Sequence, residues 1–133
     1  MPLKTNDATI NRPEGNRVID APAVVIDLKA FTEQLKDESA WDKNDRNAIT
    51  VFKTKGMTMV LSALHKDAAM DNLVVEGVLV LQVIEGEITI ETSNDESITL
   101  KKKQMIVLHP DANQNVKAVD KTILLLSNIM VAQ

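Results

Sequence analysis

The sequence predicts a small, mainly β domain, a sandwich or barrel, with one helix ahead of it. Two observations carry this. From Ala48 onward, apolar and polar residues alternate over about eight short runs, the period of half-buried strands. Turn residues separate the runs at regular spacing: Lys55-Gly56, Glu85-Gly86, Ser93 to Glu96, His109 to Asn113 and Asp120-Lys121.

Residues 1–20 are polar and carry Pro2, Pro13 and Gly15, which predicts an N-terminal arm, loosely held or lent as a strand to a partner. Residues 21–133 make a single domain, and a helix opens it. Asp27 is placed to cap the helix, Ile26 stands just before the cap, and Leu28, Phe31 and Leu35 fall on one face. Lys29, Glu33, Lys36 and Asp37 fall on the other. Trp41 is expected to pin the helix end to the body. The strands follow as "AITVFK", "MTMVLSALH", the long stretch "NLVVEGVLVLQVIEG", "EITIET", "SITL", "MIVL", "NVKAV" and "TILLLSNI". In the second of these, Met57, Met59, Leu61 and Ala63 share a face. The stretch Asn72 to Gly86 is apolar on both faces, with Leu73, Val75, Leu79, Leu81 and Val83 at odd positions and Val74, Val78, Val80 and Ile84 at even ones. A strand with one wet face would not read so. One face is expected to fill the interior, and the other needs a cover, from the helix or from a second subunit.

Composition narrows the function. With 44% hydrophobic residues, the 133-residue chain has enough for a core of its own. The net charge is −4, the one basic cluster is Lys101-Lys102-Lys103, and the aromatics are one tryptophan and two phenylalanines. A nucleic-acid surface would show a basic stripe with rings to stack on bases, so no nucleic-acid partner is expected. Cysteine is absent, which excludes disulfides, thiolate metal sites and cysteine nucleophiles together. The first residues contain no apolar signal stretch, and the run Val78 to Ile84 is too short to span a bilayer. A soluble cytoplasmic protein with no membrane partner is the expectation.

Two segments carry a family resemblance: "LQVIEGEITI", ending a first motif at Gly86, and "QMIVLHPDANQNVKAV", a second. Over Met57 to Ser127 the chain resembles the small single-domain cupins. The fold this implies is a cupin-like double-stranded β-helix barrel preceded by one N-terminal helix, in a family that is usually dimeric. The resemblance also implies where a metal would sit. In metal-binding cupins the first motif reads G-x5-H-x-H-x3-E-x6-G. Counting back from Gly86 puts the glutamate at Leu79, the histidines at Val75 and Leu73, and the first glycine at Asp67. The second motif, P-x-G-x2-H, matches Pro110 but puts Ala112 at the glycine and Asn115 at the histidine. Leucine and valine have no lone pair to offer a cation, and Asn115 alone cannot supply a coordination sphere. A shift of one residue brings in only Asn72, Val74 and Val78. No metal, no cofactor and no catalytic residue are therefore expected, and the long stretch reads as a metal-site wall turned apolar.

The other candidates for chemistry are few. His65 ends a strand and His109 begins a turn, positions where histidines usually cap. Metal-free cupin epimerases pair a histidine with a carboxylate and a tyrosine, and this chain has no tyrosine. Ser62, Ser93, Ser97 and Ser127 lie in no nucleophile context. Glu76, Glu85, Glu87 and Glu91 read as solvated positions. The sequence thus leans away from an enzyme, toward a non-catalytic cupin whose barrel holds a small apolar ligand. The pocket residues this names are Leu73, Val75, Leu79 and Asn115, with Met57, Met59 and Met105 as adaptable lining. The alternatives are a cupin enzyme of the isomerase or dioxygenase kind with an unrecognised site, and a dimeric interaction or regulatory module. A homodimer is expected in either case.

Overall fold

The computed structural model describes residues 4–6, 17–73, 76–92, 95–110 and 114–130. Strands β1 (Lys4–Asn6) and β2 (Arg17–Asp20) pair as a hairpin, and helices α1 (Leu28–Asp37) and α2 (Ser39–Lys43) follow. Nine strands complete the chain: β3 (Arg46–Thr54), β4 (Met57–Leu64), β5 (Ala69–Leu73), β6 (Val78–Glu85), β7 (Glu87–Glu91), β8 (Ser97–Lys101), β9 (Met105–Leu108), β10 (Gln114–Ala118) and β11 (Thr122–Ile129). They form two antiparallel sheets, one in the order β5-β10-β7-β8 and one in the order β3-β4-β11-β6-β9.

The expected helix forms where the pattern placed it. The Asp27 carboxylate accepts from the Ala30 amide at 3.0 Å, satisfying one of the free N–H groups of the first turn. Trp41 anchors the short second helix. It is buried, its ring stacks on His65 at 3.5 Å between centroids, and its carbonyl accepts from His65 Nε2–H at 2.7 Å. The last residues of the expected arm belong to the body: Ile19 is buried in β2, and Arg17 Nε–H donates to the Thr50 carbonyl at 3.0 Å.

The two sheets face each other across one core. Leu79, Leu81 and Val83 point inward from β6, meeting Ile88 and Ile90 of β7, Val116 and Ala118 of β10 and Leu124 of β11. A second core lies outside the five-stranded sheet, where Leu35 and Trp41 cover Ile49, Val51, Leu61, Ala63, Ile123 and Leu125. The stretch Asn72 to Gly86 is not one strand. Leu73 ends β5 in one sheet and Val78 begins β6 in the other. Gly77 makes the crossing, with φ of 101°, and a Cβ there would collide with the Ile129 carbonyl. Gly86 makes the β6–β7 turn in the same way, at φ of 92° against the Lys121 carbonyl.

Candidate functional site

Five inward-facing residues lie toward one end of the barrel. Leu73 ends β5, Leu79 lies near the start of β6, and only residues 74–77 connect these strands. Leu108 ends β9 opposite Leu79, and residues 109–113 lead from it to Gln114, which pairs with Leu73. Asn128, near the end of β11, also pairs with Leu79. Leu73, Leu79 and Leu108 all pack on the barrel core, so this end has an aliphatic wall with two carboxamides set into it.

Those carboxamides have an unmet need. Gln114 is 2% exposed, and its Oε1 is buried with no hydrogen-bond partner among the described residues; Asn128 Oδ1 is in the same condition. Buried polar atoms are nearly always paired, and an unmade hydrogen bond at one costs about 1–3 kcal/mol. Two such acceptors at one barrel end can take N–H or O–H groups from a guest.

The residues named from sequence divide. Leu73 and Leu79 come together at this end, and Val75 lies outside the described residues. Asn115 does not point inward: strand alternation buries Gln114, Val116 and Ala118 and turns Asn115 out to solvent. It lines a shallow outer groove of about 260 Å³ with Asp71, Thr89, Glu91 and Lys117. The three methionines do not line the barrel either. Met59 packs on the helix side of the five-stranded sheet, Met57 shares that face at two residues' distance, and Met105 is exposed. Sequence reasoning missed Gln114, Asn128 and Leu108. Counting back by two from Val116 reaches Gln114, and counting on by two from Leu124 reaches Asn128.

The ion pair whose titration is shifted lies elsewhere. Arg46 sits at the opposite barrel end, paired with Leu64, and its guanidinium donates to Asp45 at 2.9 Å and to the Ala69 carbonyl at 2.6 Å. That hydrogen bond lowers the Asp45 carboxyl and raises the guanidinium. His65 is held by Trp41, and His109 is exposed.

No family profile and no curated protein matches the sequence. Solved structures do resemble it. A conserved protein of unknown function from Streptococcus pyogenes superposes with a TM-score of 0.67 at 17% identity, over 86% of this chain and 94% of the other. A cupin superfamily protein from Desulfitobacterium hafniense gives 0.63 at 11% identity, over 66% and 80%. The cupin domain of Schizosaccharomyces pombe Cnp3 gives 0.62 at 11% identity, over 98% and 89%.

The fold is that of the cupins. The motif resemblance implies that a metal ion, in cupins that hold one, would meet the positions of Leu73, Leu79 and Asn115, so the residues present must be judged against that ion. They do not fit it. Two leucines and a neutral carboxamide lack the imidazole and carboxylate donors a transition metal requires. Among the described residues no group of three or more His, Cys, Asp or Glu side chains converges anywhere. No helix among them is long and apolar enough to cross a membrane.

Proposed function

We propose that this cupin-fold chain is a non-catalytic binding protein, and that the aliphatic barrel end takes a small, largely apolar molecule carrying a hydrogen-bond donor. The pair of unpartnered acceptors, Gln114 Oε1 and Asn128 Oδ1, beside Leu73, Leu79 and Leu108, carries this reading. Aliphatic lining with a few placed polar groups is the usual makeup of a small-molecule site. Carboxamide oxygens accept but do not titrate near neutrality, so they select a ligand without moving its protons. The absence of tyrosine and cysteine from the sequence, and the structural employment of His65, favour binding over catalysis.

Titration of the full chain with cyclohexanol, a compact ring with one O–H donor, tests this by amide-resolved NMR. The Gln114 and Asn128 side-chain NH2 resonances are expected to shift together and saturably. In Gln114→Leu the Asn128 shift should disappear without a fall in melting temperature, because a hydrocarbon of similar volume replaces an unsatisfied amide. Failure of either resonance to respond would count against the site. So would a large loss of stability in Gln114→Leu.

A further inference from the structure

The outer face of the four-stranded sheet is polar, and its register sorts that polarity into two rows. Asn115 of β10 lies opposite Glu91 of β7, and Lys117 lies between Thr89 of β7 and Ala69 of β5. Asp71 joins the first row through a shift of register: β5 takes one residue more to pass from Met70 to Leu73 than β10 takes from Val116 to Gln114. An extra residue of this kind is a bulge, which re-aims the side chain beside it. Asp71, Glu91, Asn115, Lys117 and Thr89 together line the outer groove of about 260 Å³, and the small Ala69 leaves it open beside Lys117.

The groove is acidic in one row and basic in the next. At ordinary strand and residue spacings Asp71 and Glu91 stand about 10 Å apart across β10, and Lys117 lies about 7 Å along the strand from their row. The protein matches these charges poorly from within. Glu91 has no ion pair among the described residues. Arg46 is close enough to feel the charge of Asp71, but its guanidinium donates to Asp45 and to the Ala69 carbonyl. Lys117 meets Asp67 at 3.9 Å, with the two side chains 61% and 68% exposed. Ion pairs so exposed hold weakly in water.

We infer that this groove binds a small zwitterion, an ammonium and a carboxylate on one short frame as in a free amino acid. The ammonium sits between Asp71 and Glu91, and the carboxylate faces Lys117 and the Thr89 hydroxyl. The pattern of charge selects this class. A lone anion would meet two carboxylates, a diamine would meet Lys117, and a sugar would leave all three charges unanswered. A metal ion needs several oxygen donors around one point, which two carboxylates on strands either side of a third do not supply. Charge-assisted hydrogen bonds are stronger than neutral ones, and a zwitterion makes them in both rows at once. The groove lies on the outside of the sheet whose inner face carries Ile90 and Val116 into the barrel core, so it is separate from the barrel end at Gln114.

Amide-resolved NMR titration of the full chain with L-alanine tests this, since a single methyl side chain gives the aliphatic barrel end little to hold. The backbone amides of Glu91, Asn115 and Lys117 should shift saturably. L-alaninamide keeps the ammonium without the carboxylate, and N-acetyl-L-alanine the carboxylate without the ammonium; each should bind about tenfold more weakly or worse. Glu91→Gln and Lys117→Met, both at exposed positions, should lose a similar factor with the far-UV spectrum unchanged. Asp67→Asn removes the competing partner of Lys117 and should tighten binding, and asparagine tolerates the φ of 72° at that position. Gln114→Leu should leave L-alanine binding as it was. The absence of a saturable shift with L-alanine would overturn the inference. So would L-alaninamide binding as tightly as L-alanine, or a Lys117→Met variant that binds like the wild type.

Discussion

Single residues show how closely the barrel is specified by alternation. Leu79 stands where the family motif would set a glutamate, and it is 3% exposed among Leu81, Leu108 and Leu73. Leu79→Asp therefore places an acidic side chain in an aliphatic wall whose polar groups are two neutral carboxamides, with no cation among them to pair with it. The carboxylate must either stay charged in an apolar setting or protonate, and either course costs several kcal/mol. The expected result is a large fall in melting temperature and no gain in metal affinity. An unchanged melting temperature would mean that the side chain is not inside. Asn115 gives the complementary lesson. Motif spacing alone assigned it to the interior, while the phase set by Val116 and Ala118 assigns Gln114 instead, and the structure follows the phase. A motif matched without its signature residues does not fix a register to better than one residue, and one residue inverts a strand.

At the scale of elements, strands and helix were legible because each carries its own period. The inner positions of β6 and β7 and the cap of α1 needed only local pattern. The split of the long apolar stretch was not legible, because an unbroken run of valines and leucines looks the same whether it stays in one sheet or crosses to another. Gly77 was the signal, and its importance lies in a contact with Ile129, far away in sequence. The short helix α2 and the packing of β2 depend on distant partners too. Asn47 is such a partner. It is buried at the start of β3, and its Nδ2 donates to the Leu35 carbonyl at 3.0 Å and to Glu38 Oε1 at 2.9 Å, tying the C-terminal end of α1 to the sheet. Asn47→Ala leaves the Leu35 carbonyl without that donor and should cost about 1–3 kcal/mol. Hydrogen exchange should show the loss concentrated in amides of the last turn of α1, while the β7–β8 amides keep their protection. Uniform loss across both would mean that Asn47 acts on the fold as a whole.

For the whole molecule, the decisive arrangement is that two cores share one sheet. Leu61 on β4 faces outward to Leu35 and Trp41, and Leu81 on β6 faces inward to the barrel, yet both strands flank β11 in the same sheet. The helices and the barrel cannot separate cleanly, because melting either core strips one face from strands that the other core needs. Unfolding should therefore be a single transition, and cavities cut on either side should lower the same midpoint. Leu61→Ala and Leu81→Ala, both fully buried, should each cost about 2–5 kcal/mol. The tryptophan makes the comparison direct: Trp41, the chain's one tryptophan, lies in the helix-side core, so its fluorescence reports there, while far-UV dichroism reports the sheets. In Leu81→Ala, whose cavity lies on the far side of the sheet, the two signals should still fall together with denaturant. A fluorescence change that lagged or preceded the dichroism would show the helix-side core unfolding on its own, and the shared sheet would then not be what couples them.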